Sequence, residues 1–426
     1  MKMKLFLILT VVGTTVGQAK VDQAKVVYGE DNRVEVFKAS YRMKQLASST
    51  AGMIKSSQLI KTKNGAILPP FTLKESVGVC SSERFQGQPA PFQCSGFLVG
   101  PDLLVTAGHC VSDQQRCSVV SWVFDFKISP NSLKAPVMMK NANIYRCKEV
   151  VEAKYEGLAD YSLIKLDRPV IGRSPLITRT NGKIKLGTKI AVIGHPSGLP
   201  TKVAEGAKVV RNDSSEYFQA NLDTFGGNSG SAVFDSGSGT VEGILVRGAK
   251  DYESSDDDGC EVVHKTADKI TDFGKYGEGV TRITDIKTLR YRWAFLKAAQ
   301  TGDIEKVKSI ASKLKSVEFI YDNGRNTALH LAAKNNQTSV VKYLIKAGVN
   351  INAYNEDGNT ALHFAAEAGS QTAVARLVDA GADVLAKNNL GQTAVDRASL
   401  MSFGIKLILD RAMRNSDKRA LVLARD

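Results

Sequence analysis

Cysteine is missing from most of this chain. All six cysteines (Cys80, Cys94, Cys110, Cys117, Cys147 and Cys260) fall between residues 80 and 260 of 426. None is paired at the Cys-x-x-Cys spacing of a zinc site, so nothing in the sequence calls for a metal or a cofactor. An even number confined to one region reads instead as a disulfide set, and marks that region as a domain of its own. Long apolar runs are missing too. Leu5–Val12 falls well short of the ~20 residues that a membrane span needs, and no other segment approaches that length. Clusters of Lys and Arg interleaved with aromatics are also absent. The net charge of +14 divides evenly on either side of residue 290, which speaks for solubility and a loose attraction to acidic surfaces rather than nucleic-acid binding. A hydrophobic content of 43% with 23% charged residues excludes a disordered chain.

What is there falls into four stretches. Residues 1–19 read as an export signal: Lys2 and Lys4 come first, then the apolar run, then small residues up to Ala19. The mature chain is therefore expected to be soluble, and secreted or periplasmic. Residues 20–75 are polar and aperiodic, either a propeptide or an N-terminal arm leading into the next domain. Over 76–288 short β runs such as Gly96–Val99, Leu103–Thr106 and Val241–Val246 alternate with Gly, Pro, Asn and Ser, the texture of an all-β sandwich or barrel pair. From 289 to 426 the texture changes. Asn326-Thr327-Ala328-Leu329-His330-Leu331-Ala332-Ala333 recurs 33 residues later as Asn359-Thr360-Ala361-Leu362-His363-Phe364-Ala365-Ala366, with looser copies at Gln392 and Trp293. That period and motif resemble ankyrin repeats, which implies an all-α solenoid of about four repeats with degenerate outer copies, and a concave surface for a protein ligand. His330 and His363 belong to the repeat motif and read as structural.

Chemistry concentrates in three places. Asp223-Thr224-Phe225-Gly226-Gly227-Asn228-Ser229-Gly230-Ser231 sets a serine among glycines just ahead of an apolar strand. Such a run can expose a hydroxyl beside backbone N–H groups able to bind a developing oxyanion. Upstream lie Thr106-Ala107-Gly108-His109-Cys110 and Ala159-Asp160-Tyr161. These nominate Ser229 as nucleophile, His109 as general base and Asp160 as the carboxylate that orients the imidazole, with Asp113 and Asp167 as rivals for the last role. An α/β-hydrolase is excluded, because Ser231 replaces the last glycine of Gly-x-Ser-x-Gly and the order Ser, Asp, His is not followed.

The order His, Asp, Ser resembles that of chymotrypsin-like serine proteases, which implies a double six-stranded barrel with the backbone N–H groups of Gly227 and Ser229 as the oxyanion hole. The resemblance also implies a Cys94–Cys110 disulfide around the histidine loop. Three pairings stay open for Cys80, Cys117, Cys147 and Cys260, with Cys117–Cys147 and Cys80–Cys260 favoured by locality. Val27–Arg33, Gly194-His195-Pro196 and Asp223–Phe234 narrow the resemblance to the secreted bacterial glutamyl-endopeptidase branch, over residues 27–285. Asn228 stands where animal trypsins carry the acidic residue used in zymogen activation. Leu245 stands where the bacterial branch places a carboxylate-binding His. Preference at the cleaved bond is left open: Asp223, Thr224 and Gly248 are the pocket candidates, and Asp223 would suit a basic residue. The acidic loop of Asp251, Glu253, Asp256, Asp257 and Asp258 reads in three ways: it attracts basic substrates, it is simply solvated, or it is a calcium site. The implied activity is serine endopeptidase, acting on a protein or peptide substrate, with the repeats recruiting a second protein. The rival is a catalytically silent protease fold serving as a secreted ankyrin binding protein. The solenoid carries no visible chemistry, so loss of residues 290–426 is expected to leave small-ester cleavage intact.

Overall fold

The computed structural model describes residues 27–28, 30–131, 134–248, 251–255, 259–266, 277–314, 316–398 and 402–423, with side chains as far as residue 414. The expected export signal and Asp256, Asp257 and Asp258 lie outside the described residues. Among the described residues no helix is long and apolar enough to cross a membrane.

The chain enters through β1 (Arg33–Glu35) and then builds a closed antiparallel barrel. Its strands are β2 (Thr50–Lys55), β3 (Cys94–Leu98), β4 (Leu103–Thr106), β5 (Val120–Phe124), β6 (Ile144–Glu156) and β7 (Ala159–Leu166), hydrogen-bonded in the order β6-β7-β4-β3-β2-β5. Strands β3, β4 and β5 are buried along their whole length, with Ser95, Thr106 and Ser121 as buried polar residues among the apolar ones. Phe97, Leu104, Trp122 and Leu163 belong to the core they form. Only β6 runs out into solvent, and its last residues are exposed.

A second barrel follows, of β8 (Lys189–Gly194), β9 (Lys202–Arg211), β10 (Tyr217–Ala220), β11 (Ala232–Asp235), β12 (Val241–Arg247) and β13 (Glu278–Arg282). Its order is β8-β11-β12-β13-β10-β9, closed by pairing of β8 with β9, and β1 adds to the free edge of β9. Residues 33–55 thus supply one strand to each barrel. Three disulfides join Cys94 to Cys110, Cys117 to Cys147 and Cys80 to Cys260.

Helices α1 (Lys287–Thr301), α2 (Ile304–Ala311), α3 (Ala328–Lys334), α4 (Thr338–Lys346), α5 (Ala361–Glu367), α6 (Gln371–Asp379), α7 (Ala394–Arg397) and α8 (Phe403–Leu423) form the solenoid. The repeat motif makes its own helix starts. Thr327 caps α3 by accepting from the His330 N–H, while His330 Nδ1 accepts from the Thr327 N–H. With Nδ1 an acceptor, the ring proton sits on Nε2, which donates to Asn359 O one repeat further on (3.0 Å). His363 makes the same bond to Gln392 O. No linker separates solenoid from barrels. Ile286 and Leu289 of the junction and Phe319 and Tyr321 of the solenoid belong to the same core cluster as Leu103 and Val105. Arg292 on α1 donates to Val99 O (2.6 Å) and to Tyr321 O (2.7 Å), and the Tyr321 hydroxyl donates to the Asp102 carboxylate.

Candidate active site

His109 lies in the loop after β4, and the Cys94–Cys110 bridge ties that loop back to β3. Asp160 lies near the start of β7, 2% exposed. Its Oδ2 is 2.7 Å from His109 Nδ1, and its Oδ1 accepts the His109 backbone N–H at 3.1 Å. One carboxylate therefore holds both the ring and the backbone of the histidine, leaving Nε2 on the far side of the ring. The rival carboxylates are occupied elsewhere. Asp167 accepts from the Arg146 N–H at the other end of β7, and Asp113 caps the short helix Gln114–Ser118.

Ser229 follows a tight turn in the second barrel, closed by an Asn228 N–H to Phe225 O bond of 3.0 Å. Its carbonyl accepts from the Ser95 N–H (2.8 Å), so β3 of the first barrel fixes the backbone of a residue from the second. Ser95 does more than that. Its hydroxyl donates to Gly227 O (2.7 Å) and accepts the His195 N–H (2.9 Å). Glycine is required at both flanking positions. Gly227 and Gly230 have φ of +85° and +90°, and an added Cβ would stand 2.5 Å from His195 O or 2.1 Å from Ser95 O respectively. The Gly226 carbonyl accepts from the Ser197 N–H, which turns the N–H at the other end of that peptide, belonging to Gly227, to the opposite side.

A cavity of about 250 Å³ opens here, lined by His109, Asp160 and Tyr155 from the first barrel and by Gly226, Ser229, Val246, Arg247, Gly248 and Asp251 from the second. Gly248 is thus in the wall. Asp223 and Thr224 are not among the lining residues. The Asp223 carboxylate accepts the backbone N–H groups of Tyr28 (2.8 Å) and Asn32 (3.0 Å), pinning the N-terminal arm. Burial pushes its carboxyl up to about 6 despite those two donors. Thr224 donates to the fully buried Glu278 (2.6 Å). Leu245 is fully buried inside the second barrel. Besides the Asp160 carboxylate that holds His109, the charges on the cavity wall come from Arg247 and from Asp251, which accepts the Gly226 N–H at 2.6 Å.

Ser95, Tyr155 and Arg247 escape sequence reasoning as site residues. Tyr155 stands directly across the β6–β7 hairpin from Asp160, a relation visible only once the register is known. Ser95 follows directly on Cys94 in the sequence without a signal of its own. Among the described residues, Cys94, His109 and Cys110 are grouped closely enough to hold a metal ion, but both sulfurs are committed to the disulfide and offer no thiolate.

The family model for the trypsin-like peptidase domain matches residues 94–244, and that for ankyrin repeats matches residues 295–418 in three copies. The chain is similar to a glutamyl endopeptidase of Bacillus licheniformis, 23% identical over 224 residues, or 46% of this chain and 66% of the relative. It is also similar to a glutamyl endopeptidase of Staphylococcus aureus (27% identical; 42% of this chain, 57% of the relative). A protein named extracellular metalloprotease from Bacillus subtilis is 28% identical over 39% of this chain and 53% of its own length. The chain therefore spans between about half and two thirds of the curated relatives it matches.

Proposed function

We propose, for a chain that carries a trypsin-like peptidase domain and ankyrin repeats, that it is an exported serine endopeptidase working through an acyl-enzyme. The observation that carries this is the short His109–Asp160 contact on the wall of the same cavity that Ser229 lines. Asp160 holds the imidazole with its proton on Nδ1, so Nε2 is the basic nitrogen. Nε2 takes the Ser229 hydroxyl proton as Oγ attacks the substrate carbonyl. The carbonyl oxygen becomes an oxyanion, received by the N–H groups of Gly227 and Ser229. His109 then hands its proton to the leaving amine, the peptide C–N bond breaks, and a water activated by the same nitrogen hydrolyses the ester. Three disulfides support an oxidising compartment outside the cytosol. The repeats would hold a partner or substrate protein on their concave face.

A fluorophosphonate tests the reading. It should label the wild-type chain covalently and fail to label Ser229→Ala. An unlabelled wild type with the fold intact would mean that the protease fold is a silent scaffold. Profiling cleavage in a mixed peptide library then reads the preference set by Arg247 and Asp251 on the cavity wall.

A further inference from the structure

Resting on the acyl-transfer reading above, we infer that Glu152 is a positioning residue that ties the first solenoid helix to the strand carrying Asp160, so that the solenoid is part of the catalytic unit. Glu152 lies on β6 opposite Leu163 of β7. Its Oε1 accepts from the Tyr161 hydroxyl (3.0 Å) and the Lys287 N–H (2.9 Å), and its Oε2 from the Thr288 N–H (2.9 Å) and hydroxyl (2.8 Å). Four donors fill the capacity of a carboxylate. Two of them are first-turn amides of α1, which find no acceptor within their own helix. The residue at the cap position, Ile286, has no polar side chain to offer, so the barrel supplies the cap. A negative charge at that end also suits the helix dipole.

The Tyr161 hydroxyl makes the connection to the site. Tyr161 directly follows Asp160 on β7 and is 5% exposed. Burial, and then the neighbouring Glu152 carboxylate, hold the phenol proton far above its ordinary range, so it stays a donor. Asp160 itself gives its N–H to Thr281 Oγ1 (3.3 Å) on β13, the strand that leads into α1. At the far end of β7 the Leu166 N–H donates to Asp102 O (2.8 Å), and the carboxylate of that same Asp102 receives the Tyr321 hydroxyl of the solenoid. Both ends of β7 are therefore fastened to groups that belong to the solenoid or lead into it. Asp160 has little slack to absorb a shift of its strand, because it holds His109 at ring and backbone together.

Tyr161→Phe and Glu152→Gln, made in the full chain, test this. A misplacement of order 1 Å costs roughly a hundredfold in rate, so a smaller shift of Asp160 is expected to lower kcat on a small ester about tenfold, with KM unchanged. The imidazole limb of the pH profile should move to lower pH, since a displaced Asp160 stabilises the imidazolium less. The double variant should be no slower than the slower single, because one contact is removed in each. A fall in Tm with kcat and the imidazole limb both unmoved would overturn the inference and leave Glu152 as a helix cap alone. If the wild type neither hydrolyses esters nor takes the fluorophosphonate, the acyl-transfer reading has failed. Amide exchange over residues 159–163 then decides the coupling: faster exchange in Tyr161→Phe supports it, and unchanged exchange refutes it.

Discussion

The barrels and the solenoid fasten their polar side chains over very different spans of chain. In the solenoid the recurring bonds reach one repeat ahead. His330 meets Asn359, His363 meets Gln392, and Asn355 and Asn388 meet Asn326 and Asn359, each at a separation of 29 residues. In the barrels the bonds that build the site have no common span. His109 to Asp160 crosses 51 residues, Ser95 to Gly227 crosses 132, and Asp223 to Tyr28 crosses 195. A quasi-one-dimensional stack satisfies each polar group from its neighbour, whereas a barrel pair must bring distant strands together first. The exception is the junction, where the first repeat joins the barrel core as if it were another layer of it.

The strongest way to break that comparison is to remove the solenoid. If it were an independent stack, a chain ending at residue 289 would keep its activity, as the sequence alone leads one to expect. Loss of the helix beyond residue 289 instead takes Phe319 and Tyr321 out of the core that holds Leu103 and Val105, strips Asp102 of its partner, and leaves Lys287 and Thr288 at a chain end with no helix behind them to hold them on Glu152. Ester hydrolysis is therefore expected to fall by roughly a hundredfold or more, measured on soluble truncated chain beside the full one. Activity within twofold of wild type would restore the picture of two separate units.

The disulfides sharpen the contrast within the barrels. Cys80–Cys260 spans 180 residues and Cys94–Cys110 only 16. In the chain-entropy model, replacing the first pair by serine should cost about 5 kcal/mol and the second about 3 kcal/mol, read from denaturant midpoints. A larger cost for the short loop would show that the bridge beside His109 acts by fixing native geometry rather than by restraining the unfolded chain.

The smallest effect compares one buried histidine from each region. Burial holds His195 in the barrels and His330 in the solenoid at about 4, against an ordinary 6.5. Each is neutral when folded, so its contribution is complete above pH 6.5 and is lost as pH falls from 6.5 through about 4, on the order of 3 kcal/mol apiece. Asp223 works in the other direction. Raised to about 6, its contribution is present below about pH 4 and is lost as pH rises through 6. His330→Gln should therefore flatten the rise of Tm between pH 4 and 6.5, while Asp223→Asn should steepen it. An unchanged slope in both would mean that other groups govern the acid limb.

Much of the site is legible in the sequence because the residues flanking it are unusual. Glycines on both sides of Ser229 are required by positive φ and by close approach of other backbone, His195 at Gly227 and Ser95 of the other barrel at Gly230, and such a constraint leaves a written mark. The same is true of His109, which travels with Cys110. Asp223 is a different case. It stands where a pocket carboxylate is expected, yet both of its oxygens are bonded to the N-terminal arm, and no local pattern announces which amides a carboxylate will meet 195 residues away.

What the amino-acid order determined by itself was everything that repeats or that a backbone demands locally: the 33-residue period, the Thr-x-x-His helix starts, the β texture, and the glycines around the serine. Tertiary structure alone decided which carboxylates face the cavity, that Ser95 fastens one barrel to the other, and that Glu152 reaches from the barrel to cap a solenoid helix. The reason is physical. Helix starts and positive-φ turns are settled within a few residues, whereas a buried carboxylate must find its donors wherever folding leaves them, and that is a property of the register between strands and not of any stretch of chain.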